Sequence, residues 1–170
     1  KAYYETDTLG SLWNLAVVYE YMGDLCASEG DLKEAREWYE KCESSFDDIT
    51  DISETIEAHR NQAGICIKLG DLFALMGNSR VAQEWYERDR EINLAVATSE
   101  AEDADDEDGG VSIESMERLA YNSYKLWTLE GISAAERKNY LEELVRIGTA
   151  LYNTTGEVRH QNYMLAGLSK

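Results

Sequence analysis

The chain has 170 residues, none of them proline, and a formal charge of −18 from 34 acidic and 16 basic residues. Binding to nucleic acid or an anionic membrane surface relies on Lys and Arg to displace counterions, so this balance argues against both as partners. No run of about eighteen apolar residues is present, so no membrane-spanning helix is expected.

From the N-terminus, Leu12, Leu15, Ala16, Tyr19, Met22 and Cys26 recur at three- and four-residue steps, the apolar stripe of a helix. Gly30-Asp31 interrupts the pattern: glycine tolerates the backbone angles of a tight turn, and Asp is a good N-cap. Leu32, Ala35, Tyr39, Cys42 and Phe46 carry the stripe of a second helix. So short a turn predicts that the two run antiparallel. The plan returns 47 residues later with Ala63, Cys66, Leu69 and Phe73, then Gly77-Asn78, then Ala82, Tyr86 and a tail through Ile92 and Leu94. Residues 15–47 laid on 62–94 give eleven identities in 33 pairs, where ordinary composition gives roughly two. This is an internal duplication. A third, eroded copy aligns Gly131 with Gly77, Trp127 with Phe73 and Tyr140 with Tyr86, while Gly70 becomes Tyr124 and Ala82 becomes Glu136. Ser133 and Glu136 have capping-box spacing, and a last turn at Thr155-Gly156-Glu157 leads into a terminal helix.

The small residue at Gly23 or Gly70, Cys26 or Phe73 after it, the turn at Gly30 or Gly77, then Ala35 or Ala82 and Tyr39 or Tyr86 resemble the tetratricopeptide repeat. The family's first aromatic is Tyr19 in copy one but Cys66 in copy two, and the period is 47 residues where the family typically has about 34. The extra length lies in segment 48–61 and is expected to lengthen the flanking helices, as in long-helix bacterial members. The resemblance implies an all-α fold: a right-handed solenoid of antiparallel helix pairs, about three repeats plus a terminal helix. The expected divisions are repeat 1 at about 11–50, repeat 2 at about 51–97, an acidic loop at 98–111, repeat 3 at about 112–153 and the terminal helix at about 156–168.

In such stacks the first helix of each pair lines a concave groove. The resemblance places Val17, Glu20, Asp24 and Ser28 there in copy one, Gly64, Ile67, Asp71 and Leu75 in copy two, and Tyr121, Lys125 and Leu129 in copy three. Chaperone-binding members grip a C-terminal carboxylate with basic residues. Asp24 and Asp71 stand here instead, so the expected partner is a protein, a peptide or helix carrying basic and apolar residues. An alternative for both aspartates is that they only satisfy neighbours within the fold.

Nothing in the sequence specifies catalysis, a cofactor or a metal. Cys26, Cys42 and Cys66 are odd in number and lack C-x-x-C spacing, which predicts free, buried thiols and a reducing, cytoplasmic setting. The stretch 100–110 holds Glu100, Glu102, Asp103, Asp105, Asp106, Glu107 and Asp108, but neither EF-hand frame supplies both the glycine and the final carboxylate. It reads as a self-repelling loop. His59 and His160 lack the companions of a triad or zinc site and read as structural. Trp38 and Trp85 are expected to pack between repeats, with Tyr39 and Tyr86 in the core. The N-terminus lacks an initiator Met and reads as part of a larger protein. A regulatory or sensor segment of a bacterial signalling protein, beside an ATPase or protease domain, is therefore the alternative to a free-standing interaction module.

Overall fold

The computed structural model describes residues 2–102 and 110–166, with side chains for 8–102 and 110–163. Among these residues the chain is all-helical: α1 (Ala2–Glu29), α2 (Leu32–Ile52), α3 (Ile56–Leu75), α4 (Ser79–Glu102), α5 (Ile113–Thr128), α6 (Ala134–Thr155) and α7 (Val158–Ala166). They fall into two compact units, one up to Ile92 and one from Asn93 onward, with α4 contributing to both. Segment 48–61 does extend the flanking helices, since only three residues separate α2 from α3.

The duplication is reproduced in the backbone. Gly30 and Gly77 have φ of 84° and 74°, the left-handed region open to glycine. Around each, two crossed hydrogen bonds close the preceding helix: Asp31 N to Cys26 O and Gly30 N to Ala27 O, then Asn78 N to Phe73 O and Gly77 N to Ala74 O. The next residue immediately opens the following helix, Asp31 Oδ1 accepting from Glu34 N and Asn78 Oδ1 from Val81 N. One glycine and one side-chain cap thus reverse the chain within two residues.

In the first unit, earlier residues of α1 meet later residues of α2. Trp13 meets Phe46 edge-on, Cys42 Sγ donates to Ala16 O, Tyr19 lies on Trp38, and Gly23 lies under the Tyr39 ring. The two helices are therefore antiparallel. A Cβ at Gly23 would lie inside 3 Å of the Tyr39 ring, and one at Gly70 would meet Tyr86 in the same way. Trp38 packs on Tyr19 of its own pair. Leu15, expected on the inner stripe, is 41% exposed. Three helices share a half-buried polar cluster: Arg88 of α4 pairs with Glu43 at 2.5 Å and Asp47 at 2.9 Å on α2, and Gln62 of α3 donates to Asp47.

In the second unit, Ala97, Leu119, Ala120, Leu144, Ile147 and Leu151 form the core. The expected capping box is present: Glu136 N donates to Ser133 Oγ, and Ser133 N donates back to Glu136 Oε2. It opens α6 one residue later than the alignment on Gly131 implies. Eight residues after the N-cap, where Tyr39 and Tyr86 stand in unit one, comes Leu141, not Tyr140. The predicted acidic loop is also shorter at its start, because α4 runs on to Glu102. The Glu100 carboxylate accepts from Ser112 N and Oγ, tying the end of α4 to the cap of α5. The carboxylates at 103–108 lie outside the described residues.

Candidate functional site

The predicted groove positions of copies one and two lie on α1 and α3. Tyr39 Oη donates to Asp24 Oδ1 at 2.7 Å, and Tyr86 Oη donates to Asp71 Oδ1 at 2.5 Å. Each glycine that admits the ring is thus followed by the aspartate that holds the ring's hydroxyl. Burial first, and then the bond to Asp24, push the Tyr39 phenol well above its ordinary value, so it remains a donor at neutral pH. The repetition of Asp at positions 24 and 71 has a local structural cause.

Lys68 of α3 reaches α1, with Nζ 2.6 Å from Asp24 Oδ1, 2.8 Å from Asp24 Oδ2 and 2.8 Å from Glu20 Oε1. Burial opposes its charge, but the hydrogen bonds and fields of Asp24 and Glu20 outweigh it, and the ammonium titrates above its usual value. The same Nζ lies 5.7 Å from the Tyr39 ring centroid. Two carboxylates assigned to a basic partner therefore already hold a cation from within the chain. Lys68 escaped the sequence reading because its place in copy one is taken by Tyr21, which breaks the pattern between the copies.

The remaining groove positions divide. Leu75 is 74% exposed, Ser28 is exposed with its hydroxyl turned back to Leu25 O, and Val17, Gly64 and Ile67 are half-buried. In the second unit Tyr121 is exposed, with Lys125 Nζ 5.2 Å from its ring centroid. Leu129, expected to face the groove, is instead 6% exposed and belongs to the interior, its carbonyl receiving Arg137.

A cleft in the second unit was not foreseen. Glu114, Glu117, Arg118, Tyr121, Arg159, His160 and Tyr163 surround about 410 Å³. His160 is buried, with Nε2 2.8 Å from Glu117 Oε1 and Nδ1 2.7 Å from Thr155 Oγ1. Arg159 pairs with Glu117 at 2.9 Å and Arg118 with Glu114 at 3.0 Å. The charges of this cleft are paired with one another, and His160 pins α7 to α5. No local spacing signals this, because Glu117 lies 43 residues away.

Compared with protein-family models and with curated proteins, the chain matches none. The reading of the site thus rests on its own residues. Cys26, Cys42 and Cys66 are free and buried. Burial pushes the Cys42 thiol up to about 12 and the Cys66 thiol higher still, the opposite of what a nucleophilic thiolate needs. Among the described residues no group of three or more His, Cys, Asp or Glu side chains is arranged to hold a metal ion, and no helix is long and apolar enough to cross a membrane.

Proposed function

We propose that the chain is a protein-interaction module: it holds a peptide or helix of a partner along the face shared by α1 and α3 and performs no catalysis itself. On this reading the helix pairs stack as a right-handed solenoid of the tetratricopeptide-repeat kind; the groove positions of the first unit are Val17, Glu20, Asp24, Ser28, Ile67, Asp71 and Leu75, and the corresponding positions of the second unit are Tyr121 and Lys125. The observation that carries it is the exposure of Leu75 beside half-buried Ile67 on a helix whose other face is fully packed. A large side chain left in water at a groove position, on a strongly acidic chain, suits a partner segment with apolar anchors and basic flanks. Because Lys68 occupies Glu20 and Asp24, apolar contacts supply most of the affinity.

The test is a pull-down with the purified chain, washed at low and at high salt, beside an Ile67→Asp/Leu75→Asp variant whose helicity is checked by circular dichroism. A partner that survives high salt and is lost from the variant supports the reading. A partner held equally by both proteins excludes this groove.

A further inference from the structure

The repeats allow one corner of each unit to be compared side chain for side chain. In the first unit, where α2, α3 and α4 meet, a charged network fills the corner: Arg88 reaches Glu43 and Asp47, and Gln62 donates to Asp47. In the second unit α4, α5 and α6 make the equivalent corner. Leu94 stands in the place of Asp47 and Met116 in that of Gln62. Glu143, ten residues after its N-cap as Arg88 is after Asn78, puts a shorter side chain where the long arginine stood. These three residues line one cavity of about 380 Å³. The cavity reaches the core of the unit. Ala97, Leu119 and Ile147, which keep 5%, 8% and 6% exposure, form part of its wall, whereas the other core residues, Ala120, Leu144 and Leu151, are fully buried. Exchanging a charged network for apolar and shorter side chains thus leaves room at this corner.

We propose that this cavity is a binding site for an uncharged, apolar small molecule carrying a medium-length aliphatic chain. The wall is apolar apart from Thr98, Glu143 and Arg146. Glu143 and Arg146 are opposite in sign and lie 3.9 Å apart, and Glu143 also accepts from Ser123 Oγ at 3.3 Å. The wall therefore carries no net charge, and a charged ligand would lose its hydration with no net counter-charge to receive it. An apolar cavity of about 150 Å³ takes up benzene, so about 380 Å³ has room for a chain of roughly eight carbons. The sequence between the lining residues Ala101 and Val111 is strongly acidic, and its one apolar side chain is that of Ala104, so that stretch is chemically unsuited to this wall. The site shares no residue with the groove positions, and the inference is independent of them.

The test follows the methionine methyl groups of the intact chain by NMR as 1-octanol, octanoate or octylammonium is added. Octanol should move the Met116 resonance saturably and leave Met22 and Met76 of the first unit in place. Octanoate and octylammonium should bind at least tenfold more weakly. Ala150→Trp, at an exposed position of the cavity wall, fills the space and should weaken octanol binding at least tenfold. Leu94→Asp, which restores the residue of the first unit, should do the same. The two substitutions lie on different helices, so if circular dichroism shows one variant unfolded the other still serves, and the three ligands test the unmodified chain in any case. A Met116 resonance that octanol does not move overturns the proposal, as does octanol binding that survives in a folded variant. Octanoate or octylammonium binding as tightly as octanol overturns the uncharged class. A drift of all the methyl groups alike, without saturation, identifies detergent-like contact and overturns the site. Sedimentation as a dimer that Ala150→Trp dissolves also overturns it, because the occupant is then a second copy of the chain.

Discussion

The two units join their helices by different means. In the first, two pairs use the same device: a glycine on one helix, a tyrosine ring over it, and an aspartate that holds the ring's hydroxyl. In the second, Tyr124 stands in the glycine's place and is exposed, Lys125 stands in the aspartate's, and Leu144, Ile147 and Leu151 close an aliphatic core. A ring over a glycine demands one residue type at one position. An aliphatic core tolerates many, which is why the third copy is so eroded in sequence while remaining a helix pair.

The largest expected effect separates the units. Leu144 is fully buried at the centre of the second core, so Leu144→Ala should cost about 2–5 kcal/mol. Hydrogen exchange should show α5 and α6 losing protection while α1 to α3 keep theirs. Equal loss in α1 and α2 would mean that the units open as one. Next comes the glycine device. Gly70→Ala drives a methyl into the Tyr86 ring and should destabilise by about 1–3 kcal/mol. Gly64→Ala meets nothing within 4 Å and should stabilise α3 by about 0.5–1 kcal/mol. Urea midpoints moving in opposite directions six residues apart on one helix would establish that the ring, and not helix propensity, fixes Gly70.

What could be read from sequence follows the same division. The turns were legible because Gly30-Asp31 and Gly77-Asn78 act locally, through backbone angle and side-chain cap. Tyr39 and Tyr86 were legible as core because duplication repeats scaffold positions. The one-residue slip at the start of α6 was not, since Gly131 marks a turn without fixing its length. Lys68 was missed, and His160 was read as structural without its partner Glu117, because the groups they meet lie 44 and 43 residues away. For Asp24 and Asp71, expected in a groove, the alternative reading as local partners describes the hydrogen bonds that Tyr39, Tyr86 and Lys68 make to them.

A smaller effect sharpens the role of those aspartates. Tyr86→Phe keeps the ring over Gly70 and removes the bond to Asp71, and should cost about 1 kcal/mol in urea unfolding. No change would mean that ring packing alone joins α3 to α4.

The smallest effect concerns a pH slope in the first unit. Glu43 is buried, one helical turn from Asp47 and facing Arg88. Burial first, and then repulsion by Asp47, raise its carboxyl above the ordinary value, while Arg88 pulls the other way and does not prevail. An acid whose folded value is raised binds more protons folded than unfolded. Its contribution to stability therefore falls as pH rises from about 4.3, the ordinary glutamate value, through the folded one. Glu43→Gln removes the titration, and Arg88 retains Asp47 at 2.9 Å. Melting temperatures followed from about pH 4 to pH 8 should show the variant gaining on the unmodified chain as pH rises through that window. The opposite trend, with the unmodified chain gaining, would mean that the pair with Arg88 outweighs burial and that α2 and α4 are held by charge as well as by packing.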